Sequence, residues 1–371
     1  MTPIDRRLIT HMNWGLLAFT FILFCVGAAN LYSASGVRIE DGIEVSSFYQ
    51  KQLVWGLIGL GGMITFMLFD YRHLKSLAWP IFILTVLLLA CVPPFGKVIY
   101  GARRWLSFGL FNLQPSEIAK ISILILGARL LSGDKNSLNW TELFKVLGVG
   151  LVPAAFIVIQ PDLGTTLNLL LLLGGMILYH GIQWRVLKVC LAVVPPLLPL
   201  GWFCLHDYQK QRILTFLDPQ NDPLGAGYHI IQSQIAIGSG ELWGKGFLGG
   251  TQSQLRFLPE KHTDFAVAVF GEEWGFVGCV ALLALFSLFL LSIFNTARDA
   301  KDRFGSTLAA GVFFYFFWQI LINTGMVVGI MPVVGIPLPF ISYGGSATLV
   351  NFSLIGLVLN VSMRRFVFKT N

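Results

Sequence analysis

The chain has 371 residues, of which 55% are hydrophobic and only 12% charged, and its mean hydropathy is +0.71. That balance excludes a water-soluble globular domain, which could not bury so much apolar side chain. The formal charge of +7 does not point to nucleic acid either, because the basic residues are spread over the ends of apolar runs, where membrane topology already requires them.

A bilayer core about 30 Å thick takes roughly 20 apolar residues per helical crossing. Ten such runs are predicted. The first five lie near Trp14 to Tyr32, Leu53 to Phe69, Leu77 to Val92, Ile118 to Leu131 and Leu143 to Ile159. The others lie near Leu163 to Tyr179, Val186 to Leu205, Phe265 to Phe294, Leu308 to Met331 and Phe340 to Met363. Runs this long satisfy their backbone amides as helices, whereas barrel strands would be short and alternating. The predicted fold is therefore an all-α integral membrane protein, with residues 1–371 forming a single polytopic membrane domain. The first run follows Arg6 and Arg7 and is too long for the core of a secretion signal, so it reads as an uncleaved first span. Placing both termini in the cytoplasm puts Arg72, Lys75, Arg185, Lys188, Arg298, Lys301, Arg303, Arg364, Arg365 and Lys369 inside. The five cysteines all sit in or at the ends of apolar runs, which argues against a disulfide framework or a zinc site.

Four connections break the regularity, all on the outer side. Residues 96–116 carry Lys97, Arg103 and Arg104 with no acidic residue before Glu117, a basic cluster opposite to the topogenic expectation. The turn between the fifth and sixth runs is only Gln160-Pro161-Asp162. The large loop at residues 206–263, between spans seven and eight, holds acidic and basic residues in equal number, turn signals at Asp218-Pro219 and Asp222-Pro223, and an amphipathic stretch from Tyr228 to Ile237; it is expected to be compact and to lie against the membrane surface. The last connection, Pro332 to Ser346, is rich in Pro and Gly and suits irregular backbone dipping into the membrane under cover of protein.

Ionisable groups near membrane depth are costly and are functional candidates by default. Glu117 and Lys120 share a helix face, as a neutralising pair or as part of a site. Asp162 follows a proline and is placed to cap the sixth span, and it faces the same outer surface as Glu117. Asp264 opens the eighth span, where a helix N-terminus favours negative charge. Glu272 and Glu273, two turns further on, read as internal packing partners. Arg103 and Arg104 beside Trp105 suit a phosphate-bearing headgroup. His206, His229 and His262 match no metal-ligand spacing.

Five ordered segments together resemble the SEDS family (shape, elongation, division and sporulation). They are Gly101-Ala102-Arg103-Arg104-Trp105, Gln114 to Lys120, Gln160 to Thr165, Leu258 to Phe265, and Pro332 to Ser346. The stretch Gly249 to Leu255 and the short N-terminal tail resemble the elongation branch more than the division branch, while Ala266-Val267 and Tyr100 depart from the usual pattern. The resemblance implies a glycosyltransferase that polymerises lipid II at the outer face of the bacterial cytoplasmic membrane. It implies an outward-facing groove with Asp264 as the essential carboxylate and Glu117, Lys120, Arg103, Arg104 and Asp162 around it. Its implied partners are a class B penicillin-binding protein and other elongation-complex membrane proteins. For such a reaction Asp264 is the expected base. Arg103, Arg104 and Lys120, with Lys261 as a weaker candidate, are expected to compensate the pyrophosphate, and Glu117 and Asp162 to orient their neighbours. No metal ligand set is assigned; the clustered outer acids permit a divalent cation on the pyrophosphate without demanding one. The alternatives are a lipid II flippase and a non-catalytic scaffold.

Overall fold

The structure is a computed structural model that describes residues 10–35, 39–40, 43–44, 48–99, 102–107, 109, 112–133, 137–204, 207–222, 225–255, 257–258 and 260–365. Arg6, Arg7, Tyr100, Gly101, Leu205, His206, Pro223 and Lys369, named above, lie outside the described residues.

Each of the ten apolar runs coincides with a helix. In chain order these are α1 (Trp14–Ser35), α2 (Phe48–Leu68), α3 (Tyr71–Phe95), α4 (Pro115–Leu131), α5 (Trp140–Ile159), α6 (Leu163–His180) and α7 (Trp184–Cys204). After α7 come α8 (Asp207–Leu217), α9 (Ala226–Ser239), the single turn α10 (Thr251–Gln254), α11 (Ala266–Arg298), α12 (Arg303–Val328) and α13 (Gly345–Met363). Eight helices, α1, α2, α3, α5, α6, α11, α12 and α13, are long and apolar enough to cross a membrane. Of the two other runs, α4 is a 17-residue helix, and α7 has 21 residues interrupted by Pro195, Pro196 and Pro199.

Helix ends follow local chemistry where the apolar runs do not reach. Helix α3 begins six residues before its run because Asp70 accepts the Arg72 amide at 2.9 Å, and the intervening Arg72, His73 and Lys75 are compatible with a helix although polar. Helix α5 opens on a reciprocal capping box between Asn139 and Glu142. The last helix starts five residues later than its run, because Phe340 to Gly344 is irregular backbone and Phe340 itself has φ +64.

The packing is that of a protein in lipid. Leu57, Ile83, Leu84, Phe144 and Leu191 are exposed at outward positions, where in a bilayer they meet acyl chains. The interior is aromatic: Phe289, Phe316, Phe340 and Phe352 meet with ring centroids 5.1 to 5.9 Å apart, mostly edge to face. Small residues allow close approaches. A Cβ at Gly27 would lie 2.1 Å from the Phe340 carbonyl oxygen, and one at Gly164 would lie 2.3 Å from that of Val334, so α1 and α6 pin the irregular segment after α12.

Three connections acquire their own structure. Strands β1 (Ile39–Glu40) and β2 (Ile43–Glu44) pair antiparallel, and β3 (Lys97–Ile99), β4 (Ala102–Ser107) and β5 (Asn112–Leu113) form a three-stranded antiparallel sheet. The expected amphipathic stretch in the large connection is α9, which packs on α11 and α12. Its Ser233 and Gln234 donate to the Val327 and Val328 carbonyls at the end of α12.

Candidate active site

The N-termini of α4, α6, α11 and α13 converge at one end of the bundle. They surround a hollow of about 200 Å3 whose walls include Arg104, Glu117, Lys120, Asp162, Asn168 and Asp264. Four helix N-termini aimed at one space make it favourable to anions, since each brings unpaired amides and the positive end of a dipole.

Residues three apart on a helix share a face, and two such series face each other here. Gln114, Glu117 and Lys120 run down from the start of α4, while Asp162, Thr165 and Asn168 run down α6. Glu117 and Lys120 form a buried ion pair of 2.6 Å, with 5% and 4% exposure. Asp162 does act as the cap expected from sequence: it accepts the Thr165 amide at 3.2 Å and the Thr165 hydroxyl at 2.9 Å. The Gln114 amide joins the two series through a 3.3 Å bond to Asp162 Oδ2.

Arg103 and Arg104 are neighbours on β4, and successive residues of a strand point to opposite faces. Arg104 turns to the α5–α6 turn. Its Nε donates to the Gln160 carbonyl at 3.1 Å, another guanidinium nitrogen donates to the Pro161 carbonyl, and Nη1 stands 4.0 Å from Asp162 Oδ1. Arg103 is exposed, donates to the Pro93 carbonyl at 3.0 Å and does not line the hollow. Lys261 also stays out of it and donates to the Ser253 carbonyl. Sequence reasoning grouped the two arginines and Lys261 as one set of cations; the fold gathers Arg104 and Lys120 and separates the other two.

Asp264 precedes α11 on a partly buried turn. Its backbone carbonyl accepts from Asn323 Nδ2 at 2.9 Å, and the same nitrogen donates to the Ile336 carbonyl at 2.8 Å. One side chain of α12 thus ties the Asp264 turn to the irregular segment after α12. Across from the carboxylate stands Gly335 at φ +73, where a Cβ would come within 3.4 Å of Asp264 Oδ2. Burial pushes the Asp264 carboxyl up to about 6; the charges of Glu260 and Asp162 add to the rise, against the pull of Arg212 and Arg104. Such a carboxyl is poised to exchange a proton near neutral pH.

The other residues weighed from sequence have structural partners. Glu272 is wholly buried and takes donors from Lys245 at 2.7 Å, Thr251 at 3.0 Å, and the Gln252 and Ser253 amides at 2.9 and 3.3 Å. Glu273 accepts from Ser33. His262 stacks on Phe48, and His229 on Phe265. Among the described residues no group of three His, Cys, Asp or Glu side chains is arranged to hold a metal ion. Sequence reasoning missed Gln114, Thr165 and Asn168 as wall residues. The signal is the three-residue step that runs Gln114-Glu117-Lys120 and Asp162-Thr165-Asn168, in which the uncharged members carry no charge to mark them.

The chain is similar to known proteins along nearly its whole length. Residues 14–366 match the FtsW/RodA/SpoVE family, described as cell cycle proteins. The peptidoglycan glycosyltransferase MrdB of Escherichia coli K12 is 42% identical over 359 residues, covering 96% of this chain and 94% of that protein. A probable peptidoglycan glycosyltransferase FtsW of Geobacter metallireducens is 37% identical, covering 97% of each chain. A solved structure described as coordinating polymerization and crosslinking in a peptidoglycan synthase complex superposes with a TM-score of 0.81 at 31% identity, over 96% of this chain and 98% of that one. With the family match spanning nearly its whole length, this multi-pass membrane protein belongs to the FtsW/RodA/SpoVE family.

Proposed function

We propose that the protein is a peptidoglycan glycosyltransferase that polymerises lipid II at the outer face of the cytoplasmic membrane, during cell elongation and maintenance of rod shape. The observation that carries the reading is the single hollow shared by the raised-pKa carboxyl of Asp264 and the cations Arg104 and Lys120. A hydroxyl of the acceptor sugar attacks the anomeric carbon of the donor. Its proton passes to the Asp264 carboxylate, and the bond to undecaprenyl pyrophosphate breaks with the electron pair going to the leaving oxygen. Arg104, Lys120 and the helix N-termini offset the charge that develops there, while Glu117 and Asp162 hold Lys120 and Arg104 in place. Arg103 and Lys261, expected from sequence to join them, bond the Pro93 and Ser253 carbonyls outside the hollow and take no part in this step.

The assembly partner assigned on this reading is a class B penicillin-binding protein, supported by the likeness to a synthase complex that couples polymerization to crosslinking. Relatives named FtsW are also similar; the elongation role rests on the loop Gly249 to Leu255 and on the similarity to MrdB.

The test is glycan polymerisation from lipid II by purified protein with and without its transpeptidase partner. Asp264→Asn is expected to lower turnover by about two to four orders of magnitude, the range for losing a general base. Full activity in that variant would remove Asp264 from the chemistry. Movement of labelled lipid II across liposomes without any polymer would instead establish a flippase.

A further inference from the structure

Asn168 lies on the floor of the hollow, 1% exposed, and neither its Oδ1 nor its Nδ2 has a hydrogen-bond partner. Swapping the two atoms changes nothing, since both are free. On the facing helix Glu117 gives one carboxylate oxygen to Lys120, and its Oε2 is likewise buried without a partner. Every other polar step of the two helical series is bonded: Gln114 to Asp162, Thr165 to Asp162, and Lys120 to Glu117. Unpaired polar atoms at such depth are costly. Both residues line the same open hollow, which points to a ligand that completes them.

The donors and acceptors left over define that ligand. A carboxamide offers an N–H donor and a C=O acceptor, and a secondary amide carries the complementary acceptor and donor, turned away from each other across its trans bond, so that it meets one or the other. Phosphate would satisfy only the donor and would be repelled by Glu117. A hydroxyl can also meet the Asn168 atoms, but it survives de-N-acetylation, which removes only the amide. We propose that Asn168 is a specificity-determining residue that hydrogen-bonds a secondary amide of the substrate, Nδ2 donating to its carbonyl or Oδ1 accepting its N–H, with Glu117 Oε2 accepting from a neighbouring hydroxyl or N–H. This rests on the assignment of a lipid-linked amino sugar as substrate, and that substrate carries such amides in two places, the acetamido groups of the sugars and the peptide stem.

The experiment measures equilibrium binding of three ligands to the purified full-length protein: the lipid-linked N-acetylated disaccharide peptide, its de-N-acetylated counterpart, and the disaccharide without peptide. Binding is read separately from turnover, so an inactive preparation would count against the polymerase reading while leaving this measurement intact. The wild type is expected to bind the complete ligand about tenfold to a hundredfold better than the ligand lacking the relevant amide, the penalty for leaving polar site groups unpaired. Asn168→Ala should bring that ratio to within about twofold by weakening the complete ligand alone. Asn168→Asp, similar in shape but without the N–H donor, supplies the same reading if the alanine variant does not fold. Collapse of the ratio for the de-N-acetylated ligand assigns the acetamido group, and collapse for the peptide-free ligand assigns the stem. Equal weakening of all three ligands, or an unchanged ratio, would overturn the proposal and leave Asn168 a structural residue.

Discussion

Asp264 is held where its two protonation states are close in free energy at physiological pH, and that has consequences of opposite sign for activity and stability. As a base it must be ionised, so kcat/KM is expected to rise with pH, reach half its plateau near 6 and stay flat above, because the carboxyl is raised to about 6. A profile half-maximal near 4 would mean that the burial is relieved in the working complex. For stability the sign reverses. A carboxyl raised on folding favours the folded state below its unfolded pKa, and that contribution is lost as pH rises through the folded value. Asp264→Asn should therefore melt higher than the wild type at pH 8 while being inactive. The difference should shrink as pH falls from 6 toward 4. The Glu117–Lys120 pair behaves differently, since both charges are buried and each neutralises the other. Lys120→Met strands the carboxylate and should cost about 3 to 5 kcal/mol, measurable as a lower melting temperature in detergent. Adding Glu117→Gln should restore much of the stability and none of the polymerisation.

At the scale of elements, the site depends on backbone that helices do not provide. Helix α11 is interrupted at Gly275 (φ +65, ψ −164), and the loop 241–246 fills the interruption. There the Phe276 and Val277 amides donate to the Glu241 and Leu242 carbonyls, while the Lys245 and Gly246 amides donate to the Glu272 and Glu273 carbonyls. Glu272 then fastens residues 245–253 through its side chain, and Lys261 reaches back to Ser253. This chain of bonds runs from the break in α11 to the turn that presents Asp264. A Cβ at Gly275 would stand 2.3 Å from the Gly244 nitrogen, in a conformation that side chains rarely adopt. Gly275→Ala is expected to cost about 1 to 3 kcal/mol or more and to lower polymerisation even in the fraction that stays folded. Protease sensitivity of the 240–255 loop should rise with it, and unchanged protection would show that the interruption does not hold the loop.

For the whole molecule, the hollow at one end of the bundle and the cluster of Arg72, Arg364 and Arg365 at the other make the orientation testable. A reporter active only outside the cytoplasm should be silent when fused at the C-terminus and active when inserted near Gly240. The reverse pattern would place the hollow toward the cytoplasm and remove access to an outer-leaflet substrate. If both termini are inside, the number of crossings must be even, so reporters fused at the two ends should give the same signal.

The apolar runs were legible in the sequence because lipid imposes one requirement on every crossing, internal satisfaction of the backbone over about 20 residues. The carboxylates and cations stood out for the same reason: charge at the edge of a bilayer is costly and needs a cause. Their grouping did not. Arg103 and Arg104 are adjacent in sequence and equal in charge, yet strand alternation sends one to the hollow and the other to Pro93. Asn168 lies in an apolar run where nothing distinguishes it from a packing residue. Its significance came from the facing helix, which leaves both ends of its amide without partners. Composition and local pattern record how each residue meets lipid or water; which residues meet one another depends on helix packing over hundreds of residues of separation, and a single sequence does not print those distances.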